Sequence, residues 1–177
     1  MLKRPESNEY SPYHTGYIIQ VPEGELIQIL EQQVKDTILL LNNVSTEKAG
    51  FRYAPEKWSI KEVIGHMADT ERIMSYRLLR FSRGDDTALA GFEEDAYVRG
   101  AAFDSAFLED LLENLAAVRK STLALLKSLA PETFLRTGSA NQNVLSVRAI
   151  AYIIAGHELH HRNVLIERYL SDKEVQS

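Results

Sequence analysis

The sequence predicts an all-α fold, a single four-helix bundle. Three observations carry this. Four long segments place apolar residues at helical period, strand-type alternation is scarce, and start and stop signals bracket the periodic segments. The 177 residues are enough for one domain with a buried core. The expected organisation is an N-terminal arm over 1–21, a bundle over 22–170 and a C-terminal tail over 171–177.

The first helix is expected over 22–42. Pro22 suits a first helical position, and Leu26, Leu30, Val34, Ile38 and Leu41 form one stripe before Asn42-Asn43. The second is expected over 59–83. Ser59-Ile60-Lys61-Glu62 reads as a capping box, followed by Val63, Met67, Thr70, Met74, Leu78 and Phe81. His66 lies beside Val63 and Met67 on the inward side. The connection from Gly84 to Phe103 is long for a small helical protein and is expected to pack over a site, with Tyr97 contributing to a pocket. It also lets the flanking helices run parallel.

The third helix is expected over 105–129, with Asp104 or Ser105 as N-cap and a stripe from Leu108 to Leu129. Ala130-Pro131 ends it. A looser segment with Gly138, Ser139, Asn141 and Asn143 leads to the fourth helix, expected over 147–170 and capped by Ser146. Cores of such bundles are where metal sites are built.

Composition excludes several functions. The chain carries a net charge of −5 and a pI near 5.6, which argues against nucleic-acid and membrane partners. It has no cysteine, so disulfides, thiolate metal sites and cysteine nucleophiles are ruled out and a cytoplasmic location is expected. The first 17 residues are polar, unlike a signal peptide, and no apolar run approaches the ~20 residues a membrane span needs.

The histidines carry the chemistry. His157 and His161, four apart, differ by about 40° around a helix and follow the inward Ile150 and Ile154. Burying two imidazoles with no partner costs several kcal/mol, so this pair is better read as metal ligands than as core residues. His66, from the second helix, would complete a three-histidine site with open coordination positions. His160 falls about 60° to the other side of His157 and reads as a rim residue. His14 reads as solvated.

Asp69, one turn after His66, and Glu158, beside His157, are candidate catalytic residues that would move a proton or orient an imidazole. Both also have a plain reading as surface carboxylates, as do Glu71 and Arg72 as surface charges. Trp58 reads as a hydrophobic anchor. The run His157-Glu158-Leu159-His160-His161 also fits H-E-x-x-H, the zinc peptidase motif. The Gly and His continuation of metzincins is absent, and no upstream edge strand is expected.

The run Lys57-Trp58-Ser59-Ile60-Lys61-Glu62-Val63-Ile64-Gly65-His66, then Asp69-Thr70-Glu71-Arg72, then Gly156-His157-Glu158-Leu159-His160-His161, resembles the DinB-like family of bacterial proteins. The resemblance spans about Tyr17 to Leu170. It implies a bundle of up-down-down-up topology, often a homodimer, with His66, His157 and His161 holding one divalent metal, zinc or nickel. Some relatives are thiol S-transferases that use bacillithiol, mycothiol or glutathione; others resemble maleylpyruvate isomerases or are labelled metal-dependent hydrolases.

Two functional readings follow. In one, the protein is a metal-dependent enzyme acting on a small molecule, a thiol-dependent S-transferase or a hydrolase; a low-molecular-weight thiol cosubstrate would bring the sulfur that the chain lacks. In the other, it is a non-enzymatic, metal-binding, dimeric stress-response protein.

Overall fold

Two serines fix the starts of the helices that carry the three histidines. In the structure, a computed structural model describing residues 2–171, the Ser59 hydroxyl accepts from the Glu62 amide and the Glu62 carboxylate accepts from the Ser59 amide. Ser146 accepts from the Ala149 amide in the same manner. Each satisfies a backbone donor that the first helical turn leaves without an intrahelical partner.

The elements are α1 (Thr15–Gln20), α2 (Leu26–Leu41), α3 (Thr46–Ala49), α4 (Ile60–Ser82), α5 (Glu94–Ala101), α6 (Leu108–Lys127), a hairpin of β1 (Thr137–Ala140) and β2 (Asn143–Ser146), and α7 (Val147–Val164), which a π-helical turn extends over Leu165–Leu170. The bundle is α2, α4, α6 and α7. Among the described residues no helix is long and apolar enough to cross a membrane.

Three details differ from the sequence expectation. The first bundle helix begins at Leu26 rather than Pro22, because Gly24 has φ +146° and Glu25 is an extended cap. The third begins at Leu108 behind Phe107. Asp104 and Ser105 sit instead in a 3-10 turn, and Asp104 accepts from the Ser59 hydroxyl (2.6 Å) and pairs with Arg52 (2.6 Å). The looser segment is the antiparallel hairpin, in register Thr137↔Ser146 to Ala140↔Asn143. Its two turn residues, Asn141 and Gln142, both have positive φ, as a tight I′-type turn requires. Of the expected tail over 171–177, all but Ser171 lies outside the described residues.

Contacts between side chains give the direction of each bundle helix. Ser59 and Lys61, at the start of α4, meet the 104–106 segment that leads into α6, and Glu71 meets Arg119, so α4 and α6 run parallel. Leu26 and Leu30 share one core cluster with Ile150 and Ile154, and Leu41 shares the other with Leu165, so α2 and α7 are parallel too. Trp58 contacts Tyr169 and His66 contacts His157, so α4 opposes α7. The order is up-down-down-up. The long connection carrying α5 makes the parallel α4–α6 step possible, because it returns the chain along the full bundle length.

The apolar core lies in two parts. One, at the end where α7 begins, contains Leu26, Leu30, Leu78, Phe81 and Ile150; the other, at the opposite end, contains Leu41, Ile60, Ile64, Leu115 and Leu165. Fully burying each such side chain contributes about 1.5–3 kcal/mol. Between the two parts lies a layer of buried polar groups: Thr37, His66, Thr70, Glu71, Arg119, His157, Glu158 and His161.

Candidate metal centre

His66 comes from α4, and His157 and His161 from α7. Their Nε2 atoms converge. His66 Nε2 lies 3.0 Å from His157 Nε2, which lies 3.1 Å from His161 Nε2. The possible ligand atoms of the three all fall within 4.8 Å of one another. The ring centroids are 4.5–4.9 Å apart. The structure therefore brings together the three histidines that the sequence singled out.

Burial sets their charge. It holds the His66 imidazole down at about 4, and it pushes His157 and His161 well below the ordinary histidine value, with the neighbouring imidazoles adding to the effect. All three are neutral at pH 7. A neutral imidazole nitrogen is either one donor or one acceptor. The Nε2 of His157 faces two others, so three such atoms cannot all satisfy one another. A divalent cation accepting all three lone pairs would, and the donor set fits one. That arrangement places the remaining proton of His66 on Nδ1, which lies 3.4 Å from Thr70 Oγ1.

Aromatic rings hold the imidazoles. Trp58 lies against His66 at 4.6 Å between centroids and stacks near His161 at 6.5 Å. It is thus a wall of the histidine site as well as an anchor. Tyr17 of α1 stands edge-on to both His157 and His160 at 5.5 Å. Gly156 makes that approach possible: a Cβ there would overlap the backbone carbonyl of Tyr17.

The carboxylates behave differently from the sequence expectation. Glu158 is buried, not a surface group. It accepts from the Thr37 hydroxyl (2.6 Å), and its other oxygen lies 2.7 Å from Arg119 Nη1. That nitrogen also donates to the Leu30 carbonyl (2.9 Å), and its contact with Glu158 is a charge pair outside hydrogen-bond geometry. Glu71 is equally buried and takes both of its hydrogen bonds, at 2.8 Å, from Arg119 Nε and Nη2. Asp69 is half-buried and pairs with Arg72; burial raises its pKa, and Arg72 opposes the rise. Neither Glu158 nor Asp69 makes a hydrogen bond to a histidine among the described residues.

A cavity of about 420 Å³ opens beside His157. The connection between α4 and α6 does form a wall of it, through Gly91, Phe92, Glu93, Glu94 and Asp95. Tyr97 does not line it but packs against Phe92 at 5.1 Å. The hairpin, an element without a sequence signal strong enough to be predicted, supplies Asn141 and Asn143. Leu89 bonds to Ser139 and Asn141 and ties the connection to it. His14 also lines the cavity instead of standing in solvent, and its Nδ1 is buried without a partner. Arg77, Tyr17 and Asp95 were likewise unmarked by the sequence. Asp95 is close enough for its charge to favour the protonated form of His66.

The fold and the site define a helical bundle with three gathered histidines, one of which, His157, lines a chamber. The DinB superfamily model matches residues 29–165, and the chain belongs to that superfamily. Among solved structures, YfiT from Bacillus subtilis has the same fold, with a TM-score of 0.74 at 19% identity, covering 80% of this chain and 82% of that one. YfiT is described as "a probable metal-dependent hydrolase with an unusual four-helix bundle topology". No curated protein sequence matches the chain.

Proposed function

We propose that this protein is a metal-dependent enzyme that uses His66, His157 and His161 to hold one divalent ion, zinc or nickel, and acts on a small molecule bound in the adjoining cavity. The observation that carries the reading is the convergence of three buried, neutral Nε2 atoms beside a chamber of small-molecule size. When bound, such an ion supplies positive charge that acidifies a water or thiol beside it. Both a hydrolase and a thiol-dependent S-transferase use that chemistry. The hydrolase description of YfiT supports the first, and the sequence resemblance supports the second.

The chain's own residues supply the rest. Thr70 orients His66 through Nδ1. Trp58 and Tyr17 fix the imidazole planes and exclude water from one side. Glu158, tied to Arg119 and Thr37, anchors α7 next to His157 to α2 and α6. Asp69 stays a candidate for proton movement at the outer edge of α4. Glu94 and Asp95 face the chamber directly and are better placed to take a proton from a bound nucleophile. Burial and the neighbouring Asp95 and Glu93 carboxylates raise the Glu94 pKa above the ordinary carboxylate value, which makes its carboxylate a stronger base.

A non-enzymatic, dimeric metal-binding protein needs no such chamber, and the cavity therefore favours the enzyme reading. Homodimerisation remains part of the proposal on the strength of the family resemblance; light scattering giving the 20.0 kDa monomer mass at high micromolar concentration would remove it.

The test is direct. Chelator-treated protein is titrated with zinc and with nickel at pH 7.5, then assayed for ester and amide hydrolysis and for transfer of a thiol to a chromogenic electrophile. One equivalent of metal and a metal-dependent rate are expected. His66→Ala, His157→Ala and His161→Ala each lose metal, and His160→Ala retains it. Absence of metal binding would end the proposal.

A further inference from the structure

Two buried arginines in this molecule are treated in opposite ways. Arg119 is paired with two carboxylates and a carbonyl. Arg77, on α4, is 6% exposed and has no carboxylate within salt-bridge distance among the described residues. Its protein contacts are the Ala90 carbonyl (3.0 Å from Nη2), the Met74 thioether (3.7 Å from Nη1) and the face of Phe92 (5.9 Å). A guanidinium has five N–H donors, of which these contacts use two, and Arg77 lines the cavity. Leaving a charge buried without a counter-ion is costly.

A second group in the same cavity is also unsatisfied. His14 Nδ1 is buried with no hydrogen-bond partner, and His14 lies within electrostatic reach of Arg77. Arg77 calls for an acceptor carrying negative charge, and His14 can donate to the same acceptor through Nδ1 in the tautomer that carries its proton there. A carboxylate matches the planar fork of a guanidinium and has a spare lone pair for a neighbouring donor.

The position along α4 says how such a ligand would lie. His66, Thr70, Met74 and Arg77 are spaced by four, four and three residues and share one helix face. From His66 to Arg77 the helix rises about 16 Å, and the Arg77 side chain turns back onto Met74. A molecule held at Arg77 therefore extends past Met74 and Thr70 toward His157. The far wall carries Glu93, Glu94 and Asp95, none of them in a salt bridge, so a second anionic group there would be repelled.

We propose that Arg77, with His14 beside it, anchors a single carboxylate of the substrate, and so makes the chamber selective for small monocarboxylates whose reacting group lies at the other end. This rests on the reading of the cavity as the substrate chamber. The experiment separates the two. Binding of 4-phenylbutyrate and of the uncharged 4-phenylbutanamide is measured by calorimetry in chelator-treated protein, where a carboxylate cannot be held by metal, and again after zinc loading.

The carboxylate should bind at least about tenfold tighter than the amide, a difference of about 1.4 kcal/mol. Arg77→Gln should abolish that preference, Arg77→Lys should keep part of it, and zinc titration and circular dichroism should be unchanged in both. His14→Phe should weaken the carboxylate alone. Equal affinities for the two probes, binding of neither, or a preference that survives in Arg77→Gln would overturn the proposal. Failure to bind zinc would sink the metal reading and leave the carboxylate result standing.

Discussion

His66 Nε2 lies 3.0 Å from His157 Nε2, although 91 residues separate the two and they sit on antiparallel helices. Two lone pairs at that distance repel unless a proton or a cation lies between them. Zinc should therefore stabilise the folded protein strongly. At a free zinc concentration of 1,000 times its Kd, the gain is about 4 kcal/mol, read as a rise in the urea midpoint. His66→Ala should lose nearly all of this rise. An equal rise in that variant would place the metal elsewhere.

Acid should reverse metal binding with a definite sign. The ligands bind metal only when neutral, and in the unfolded chain they titrate near 6.5. Folding without metal lowers the His66 pKa to about 4. Between these values the unfolded state binds more protons, so metal-free stability rises with pH over this window and is lost as pH falls through it. Scans of urea midpoint at pH 7, 5.5 and 4 on chelator-treated protein should fall in that order. His66→Gln should flatten part of the slope.

Arg119 holds Glu71 and Glu158 in place at the centre of the bundle. Arg119→Met leaves two buried carboxylates facing each other and should destabilise by about 3–5 kcal/mol. Adding Glu71→Gln and Glu158→Gln should recover part of the loss. Chemical denaturation of the single and triple variants measures both effects. A single variant as stable as the parent would show that the network contributes nothing.

Gly156→Ala should displace α1, because the new methyl group meets the Tyr17 backbone rather than a movable side chain. The expected cost is about 1–3 kcal/mol, together with weaker zinc binding as Tyr17 leaves His157. Gly100→Ala is the control, since nothing lies within 4 Å of its Cβ position.

Glu9 fastens the N-terminal segment to the start of α7. It accepts from Arg148 Nε (2.7 Å) and from the Ser146 hydroxyl (2.7 Å). Hydrogen bonding from Arg148 is the largest of the effects that lower its pKa, from 4.5 to about 2. This contribution is full above pH 4.5 and disappears as pH falls toward 2. The stability difference between the parent and Glu9→Gln should shrink over that range. A constant difference would mean that Glu9 acts without its charge.

The bundle helices were legible because their signals are local. Ser59 with Glu62, and Ser146 with its apolar stripe, specify helix starts without help from distant residues. The three histidines were legible for the same reason on α7, where spacing alone puts His157 and His161 on one face. Glu71, Arg119 and Glu158 were not legible. Each looks like a helix-surface charge in its own segment, and only the meeting of three helices buries them together. His14 and Arg77 belong to the same class, since their significance comes from a cavity whose walls include α1, the hairpin and the connection before α5. The hairpin itself is four residues per strand, and its Asn141-Gln142 turn lacks the glycine that most often marks such turns.

The polar layer between the two apolar halves acts as an alignment key. Leucine stripes in a bundle tolerate sliding by one helical turn, about 5.4 Å, because one leucine replaces another. Arg119 has no such substitute: a one-turn slip of α4 would bring Met67 or Ser75 to the place of Glu71, and one of α7 would bring Ile154 or Arg162 to the place of Glu158, so the buried guanidinium would lose a carboxylate. The same slip would part His66 from His157. The charge triad and the histidines thus demand the same register, and a helix misaligned at one of them is misaligned at both.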